Sequence, residues 1–206
     1  MKTKKIVSGA LVAAMLSLPI CSLATAVAAD GTVQIAVSDT TAEAGGQFTV
    51  DVSLADVPTT GIAILNFSLK YDSSLITIDS VSAGAVTKTG AEDADGTASG
   101  VSLFESYLDG DGFTTVIWTT GLEDSKCWIT GDGVFATVSG TVAEGVDAGT
   151  VAKIEVVPVD RETYDSSGVK NDLFDCGYPA ADGSAVRYDV DPVAGKVTIG
   201  GAGTTT

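Results

Sequence analysis

The sequence predicts an all-β fold, a two-sheet sandwich or jelly roll of about nine strands. Beyond the first 28 residues, the hydrophobic period is two rather than 3.6, as in strands with one buried face. Val, Ile, Thr and Phe form short runs separated by Gly, Asp, Pro and Ser. No segment of this part has a convincing amphipathic helix pattern, although residues 161–175 leave room for a short helix.

The first 28 residues are predicted to be a cleaved signal peptide. Three of the first five residues are lysines, residues 6–26 are apolar, and small residues occupy the cleavage-site positions at Ala26-Val27-Ala28. Pro19 would break a helix, which argues against the alternative of an uncleaved membrane anchor. We therefore expect a secreted, extracellular protein, without membrane insertion after cleavage, or one held at the cell surface through its parent protein.

One domain is expected over residues 31–200, since this length is enough for a substantial core. Residues 201–206 are predicted to begin a flexible Gly/Thr linker. A long connection is expected between residues 160 and 193. The predicted strands are residues 33–37, 47–54, 61–71, 75–82, 101–108, 113–120, 133–142, 151–159 and 195–199.

The chain is strongly acidic, with a net charge of −16. The predicted signal peptide contains three of the eleven basic residues and none of the 27 acidic ones, so its removal leaves −19. Phosphate backbones and anionic membranes repel such a chain, so we expect no nucleic-acid or lipid partner. High solubility is the alternative reading of the charge.

Histidine is absent from the sequence. That absence excludes the Ser-His-Asp and Cys-His catalytic arrangements and most zinc sites. A pair of carboxylates could still act as in a glycosidase, but such enzymes usually need a long aromatic-lined cleft and this chain has few aromatic residues. We therefore predict that the protein is not an enzyme.

Two cysteines follow the predicted signal peptide, Cys127 and Cys176. In an exported protein, an even number of cysteines favours a disulfide, here one that fastens the long connection to the edge of the sandwich. Two buried free thiols are the competing interpretation.

Two acidic clusters resemble pieces of calcium loops, at residues 92–96 and 109–112. Neither continues into the spaced oxygen ligands and distal glutamate of an EF-hand. Surface turns are the alternative, because Asp-Gly supplies the side-chain cap and the positive φ that tight turns require. We predict no metal and no cofactor on this chain.

Three stretches resemble the cohesin domains of cellulosomal scaffold proteins (scaffoldins). They are residues 58–63, with a proline, a turn and Gly-Ile; residues 66–72, with F-x-L-x-Y-D followed by Leu75; and residues 129–138, which contain DGVFAT. They occur in the family's order, and the resemblance runs from about Val33 to Ile199.

The resemblance implies a nine-stranded two-sheet sandwich with jelly-roll topology. It also implies that the domain binds the dockerin of a cellulosomal enzyme or scaffold protein, with calcium held by the dockerin, in an extracellular polysaccharide-degrading complex. The family binds through one sheet, which corresponds here to the strands at 61–71, 101–108, 113–120 and 151–159. Where members commonly carry Asn-x-Asp on the third strand, this chain has Ile64 and Asn66.

Alternation along these strands predicts which side chains face the partner. The third strand is expected to point Leu65 and Phe67 into the core, and the fifth to point Phe104 and Leu108 inward. The phase of the strand at 113–120 is open, and we favour Trp118 inward. The candidate dockerin-binding residues are Ile62, Ile64, Asn66, Ser68, Leu103, Glu105, Tyr107, Ile117, Thr119 and Val157.

A carbohydrate-binding module of jelly-roll type is the alternative function. Such a module would stack sugar rings on exposed aromatic side chains. Trp118 and Trp128 are the only tryptophans, and both lie beside apolar strand residues where a core position is favoured.

Overall fold

The computed structural model describes residues 27–92, 103–163 and 166–200, with the backbone alone at 27–30. Its strands are β1 Val27–Val37, β2 Thr40–Glu43, β3 Gln47–Ala55, β4 Ile64–Tyr71, β5 Ile76–Ala83, β6 Phe104–Leu108, β7 Phe113–Thr119, β8 Gly133–Val142, β9 Val151–Val157, β10 Asp175–Pro179, β11 Ala185–Val193 and β12 Gly195–Gly200. Apart from the start of β1, the predicted signal peptide lies outside the described residues, as does the predicted linker. Within the described ranges, no helix is long and apolar enough to span a membrane.

The strands form two layers that are joined along their sides. The first layer, called sheet I, has the order β2-β12-β9-β4-β7-β6, and the second, called sheet II, has the order β1-β3-β8-β5. The β10–β11 hairpin connects them, because β10 pairs with β4 and β11 pairs in parallel with β1. The all-β sandwich expected from the sequence is therefore observed.

The core lies between the inner faces of the two sheets. On β3, the apolar residues alternate with polar ones, so Phe48, Val50, Val52 and Leu54 all point inward and are buried. Phe135 of β8 lies 5.8 Å, between ring centroids, from Phe67 and equally far from Phe104. These rings join sheet I to sheet II and fix which face of sheet I is left outside.

Each of the nine predicted strands corresponds to an observed strand, and three more are present. β2 and the β10–β11 hairpin were not predicted, and the segment 161–175 contains no helix in its described part. Residues 161–163 instead pair with 169–171 as a short hairpin, through Thr163 N–H to Val169 O at 2.8 Å. The long connection expected at 160–193 therefore consists largely of paired backbone.

The predicted disulfide is not formed, because Cys127 and Cys176 are both free. Cys176 pairs with Leu65 across β10 and β4, and its side chain points into the core. Cys127 lies instead in the 3₁₀ turn Ser125–Cys127 and is half-buried. Burial raises the pKa of the Cys176 thiol to about 12, so it stays protonated at neutral pH.

Candidate protein-binding surface

The outer face of sheet I is the surface that the sequence predicts to bind a partner. On β4, Leu65, Phe67 and Leu69 are fully buried, whereas Ile64 and Asn66 are half-buried on the opposite face. This alternation follows from the period of two in a strand, which sends successive side chains to opposite faces. β4 is central in sheet I, so its outward side chains lie in the middle of the face.

The register of the strands arranges the outward side chains in rows across sheet I. We call two of them the upper rows, namely Gly177–Ile64–Thr119–Leu103 and Asp175–Asn66–Ile117–Glu105. The lower rows are Val157–Ser68–Thr115–Tyr107 and Glu155–Lys70–Phe113. Nine of the ten candidate binding residues therefore share this face.

Ile62 is the exception, and its predicted place on the outer face is wrong. Its side chain is 0 % exposed and belongs to the core cluster. β4 begins only at Ile64, and Ile62 forms a separate bridge with Ile129, with N–H to O distances of 2.8 and 3.0 Å. Gly61 has a φ of +90°, so the chain turns just before Ile62 and the alternation of β4 does not extend back to it.

The phases of β6 and β7 are resolved by their burial. On β7, Val116 and Trp118 are fully buried, which leaves Ile117 half-buried on the outer face beside Asn66. On β6, Phe104 points inward, and Leu108 lies on the same face opposite the inward Thr114, as predicted, although Leu108 is 46 % exposed. Leu108 is the last residue of an edge strand, where the opposite sheet no longer covers it.

Two outward side chains of β6, Glu105 and Tyr107, are hydrogen-bonded to each other. The Tyr107 hydroxyl donates a hydrogen bond to the Glu105 carboxylate. This bond raises the pKa of Tyr107, because the neutral hydroxyl is the form that donates to the carboxylate. The Glu105 carboxylate is therefore a positioned hydrogen-bond acceptor at the β6 edge of the outer face.

Ser68 lies on the outer face, as predicted, but it is 0 % exposed. Its hydroxyl is 3.1 Å from the Thr115 hydroxyl and accepts a hydrogen bond from the Asp160 N–H at 3.3 Å. The chain after β9 therefore folds back over the sheet at this point. Ser68 is a buried contact within the domain in the described structure.

We call the segment that covers Ser68 the overlay, defined as residues 158–163 and 169–173. The Lys170 ammonium lies 5.9 Å from the centroid of the Phe113 ring on β7 and 2.6 Å from an Asp160 carboxylate oxygen. Arg161 reaches Asp175 of β10 at 3.3 Å. These contacts place the overlay on the lower rows and against Asp175 at the end of an upper row, a position that no sequence pattern predicted.

The side chains of the upper rows remain partly exposed to solvent. Ile64, Asn66, Ile117 and Thr119 are each half-buried. One terminal atom of the Asn66 amide, Oδ1, is buried and has no hydrogen-bond partner. An aliphatic centre with an unpaired amide and a polar rim resembles the composition of protein interfaces.

Basic side chains are concentrated on this face of a strongly acidic protein. Six of the eight Lys and Arg residues that follow residue 28 lie on it or beside it. They are Lys70, Lys153, Arg161, Lys170, Arg187 and Lys196, and five of them are ion-paired to Asp39, Glu155, Asp160 or Asp175. The excess negative charge of the chain is therefore carried mainly by other surfaces.

The described residues contain no group of three or more Cys, Asp or Glu side chains arranged to hold a metal ion. The acidic cluster at 109–112 forms the turn between β6 and β7, with positive φ at Gly110 and Gly112. Of the other cluster, residues 93–96 lie outside the described residues.

Neither tryptophan is available as a platform for a sugar ring. Trp118 is fully buried in the core, and Trp128 is 6 % exposed. Trp128 donates its indole N–H to Leu122 O at 2.8 Å and packs 5.4 Å, between ring centroids, from Tyr178. Both tryptophans therefore act in packing, which goes against the carbohydrate-binding alternative.

Comparison with known proteins agrees with this architecture. The family model described as Cohesin domain matches residues 33–172. The cellulosomal-scaffolding protein A of Acetivibrio thermocellus is 28 % identical over 212 aligned residues, which cover 98 % of this chain and 11 % of that protein. The chain thus spans about a tenth of the length of this curated relative.

Solved structures of similar fold include cohesins from three bacteria. A Coh-OlpA–Doc918 complex from Clostridium thermocellum, a type I cohesin–dockerin complex, matches at a TM-score of 0.57 and 23 % identity, covering 82 % of this chain and 99 % of that chain. The seventh ScaB type I cohesin of Pseudobacteroides cellulosolvens matches at 0.58 and 17 %, covering 85 % and 96 %. A type III cohesin of the ScaE anchoring scaffoldin of Ruminococcus flavefaciens matches at 0.55 and 12 %, covering 83 % and 89 %. At these identities, the likeness shows the fold.

Proposed function

The chain belongs to the cohesin family, and we propose that it is a non-catalytic module that binds the dockerin of a cellulosomal enzyme or scaffold protein. The observation that carries the proposal is the outer face of sheet I, where Ile64 and Ile117 lie at the centre of a half-open face with polar side chains around them. Solved relatives of the same fold include complexes of a cohesin with a dockerin.

The upper rows are the proposed contact. Ile64 and Ile117 supply apolar area, and burying a side chain of this size contributes about 1.5–3 kcal/mol. Beside Ile117 lies Asn66, which is half-buried and has an amide Oδ1 that is buried without a hydrogen-bond partner. Thr119, Leu103 and Glu105 border these residues.

A non-catalytic role is supported by the chemistry of the face. Histidine is absent from the chain, and the described residues show no cluster of three potential metal ligands. We infer that the protein acts by binding another protein into a complex rather than by catalysing a reaction. Together with the signal-peptide-like start, this supports a place in an extracellular complex.

The test is calorimetric titration of the purified domain with a panel of calcium-loaded dockerins from cellulosomal enzymes and scaffold proteins. We expect at least one dockerin to bind with 1:1 stoichiometry. A parallel pull-down on insoluble cellulose tests the carbohydrate-binding alternative. Retention on cellulose without binding to any dockerin would overturn the proposal.

Calcium removal is expected to separate the two partners. We propose that the calcium belongs to the dockerin, so EDTA should abolish the complex and leave the melting temperature of the isolated domain unchanged. Differential scanning calorimetry of the domain with and without EDTA checks the second part. A fall of many degrees would show that this chain holds a structural metal.

A further inference from the structure

We propose that the overlay is part of the docking surface, so that the partner contacts the upper rows together with Val169 and Leu173 of the overlay. This inference rests on the proposed function and deepens it, because it names a second element that the dockerin would touch. In this arrangement, the overlay selects which dockerins fit.

The first step is that the overlay covers two positions of the lower rows. Ser68 is fully buried beneath the Asp160 backbone, and the Phe113 ring lies beneath the Lys170 ammonium. A partner that approaches the outer face of sheet I therefore meets the overlay at these positions. Elsewhere on this face, Lys70 is exposed, and Thr115, Tyr107 and Val157 are half-buried like the side chains of the upper rows.

The second step is that the overlay is held in place by bonds along its length. Its two arms pair through Asn171 N–H to Arg161 O at 2.8 Å, beside the Thr163–Val169 bond. The Asn171 side-chain amide donates to Val159 O at 3.2 Å and to Leu173 O at 3.1 Å. A segment held in this way loses little freedom on binding, which favours its use as a preformed contact.

The third step is that the overlay presents apolar side chains to solvent. Val169 is 57 % exposed and Leu173 is 55 % exposed, the two highest values among the large apolar side chains in the described part of the chain. Lys170 points down towards Phe113, so its neighbour Val169 points away from the sheet. Exposed aliphatic side chains beside a half-open apolar face indicate an extended contact area.

The occupant is a dockerin rather than a second copy of this chain. The net charge of −16 makes two copies repel each other as they approach. The cations of the overlay, Arg161 and Lys170, are already paired with Asp175 and Asp160, so they are not free to bridge to an acidic second copy. The overlay also lies on the same face of sheet I as the proposed dockerin contact, over Ser68 and Phe113 and against Asp175.

The test uses a dockerin that binds the wild-type domain and compares three variants by calorimetry. Val169→Asp and Leu173→Asp should each weaken binding at least tenfold without changing the melting temperature, because both side chains are exposed in the free domain. Val193→Asp is the matched control, since Val193 is 39 % exposed at the end of β11, paired with β1 of sheet II. The Val193→Asp variant should bind the dockerin with the affinity of the wild type.

Four other outcomes would each overturn the inference. Wild-type affinity in both overlay variants would mean that the dockerin does not touch the overlay. Tighter dockerin binding by the overlay variants would mean that the overlay covers the docking surface and competes with the dockerin for it. A wild-type dimer that Val169→Asp converts to a monomer in sedimentation would assign the patch to a second copy. A wild-type domain that binds no dockerin overturns the proposed function, and the inference falls with it.

Discussion

Three buried polar atoms in the described residues have no hydrogen-bond partner, namely Asn66 Oδ1, Thr114 Oγ1 and Trp118 Nε1. Leaving such a group unpaired costs about 1–3 kcal/mol. Thr114 and Trp118 point into the core, where no partner can reach them. Asn66 lies on the outer face of sheet I, but its Oδ1 is buried within the domain as well.

The free hydroxyl of Thr114 makes a stabilising substitution possible. Thr114→Val keeps the shape and removes the unpaired oxygen, so we expect the free energy of unfolding to rise by about 1 kcal/mol. Urea denaturation measures the change. Thr115→Val is the matched control one residue along β7, and it should lower stability because it breaks the bond to Ser68. Lower stability in Thr114→Val would show that its hydroxyl has a partner, such as a bound water.

The two thiols should differ in reactivity. Native protein treated with an alkylating reagent at pH 8 should be modified at Cys127 alone, because Cys176 is buried and its raised pKa keeps it protonated. Denaturation should expose both thiols, and mass spectrometry counts them. No modification in either state would show that the disulfide forms after all.

Burial of Cys176 also makes stability depend on pH. Its thiol has an ordinary pKa of 9.0 when unfolded and about 12 when folded, so the unfolded chain releases the proton first. The stabilisation that this pKa difference gives the folded state is complete below about pH 9 and is lost as the pH rises towards 12. Cys176→Ala should remove this part of the alkaline loss of stability.

At the scale of the element, β4 performs two tasks with its two faces. Leu65, Phe67 and Leu69 fill the core, and the alternate residues form the middle of the candidate surface. β4 pairs with β7 along its whole length on one side, and with β9 and then β10 on the other. The backbone that carries the outward side chains is therefore paired on both sides.

Three aspartate variants distinguish the two faces of this region. Ile64→Asp should leave the melting temperature nearly unchanged and weaken dockerin binding by a hundredfold or more, because it places a charge in a desolvated contact. Leu65→Asp and Ile62→Asp should unfold the domain, since both native side chains are fully buried. Thermal melts and calorimetry check these results. Wild-type affinity in Ile64→Asp would place the docking site elsewhere.

At the scale of the molecule, charge is distributed unevenly. Most of the basic side chains gather on the outer face of sheet I, where they form ion pairs with nearby carboxylates. Exposed pairs of this kind contribute little to stability, about 0–1 kcal/mol each. The remaining surface carries an excess of carboxylates that repel one another.

This repulsion should make the domain more stable in salt. Raising NaCl from about 10 mM to about 500 mM shortens the screening length from roughly 30 Å to a few ångströms, so the melting temperature should rise by several degrees. Circular dichroism melts provide the measurement, and KCl should act equally if screening is the cause. A falling melting temperature would show that the five ion pairs outweigh the repulsion.

Much of the sandwich could be predicted from the sequence because its strands are strongly patterned. β3, β4 and β8 alternate apolar and polar residues, and the pattern follows from which side of the sheet is buried. The family resemblance implied the binding sheet, and alternation along its strands predicted nine side chains that the register of sheet I brings together. The place of Ile62 could not be read in this way, because Gly61 interrupts the alternation.

The sequence by itself determined that the chain is an all-β sandwich and which side chains of β4 face outward. These properties depend on local alternation, and alternation is written in consecutive residues. Only the tertiary structure decided that β10 and β11 join the two sheets and that the overlay covers Ser68. Those features depend on pairing and ion contacts between distant residues, such as Asp160 with Ser68 and Arg161 with Asp175, and no local pattern encodes them.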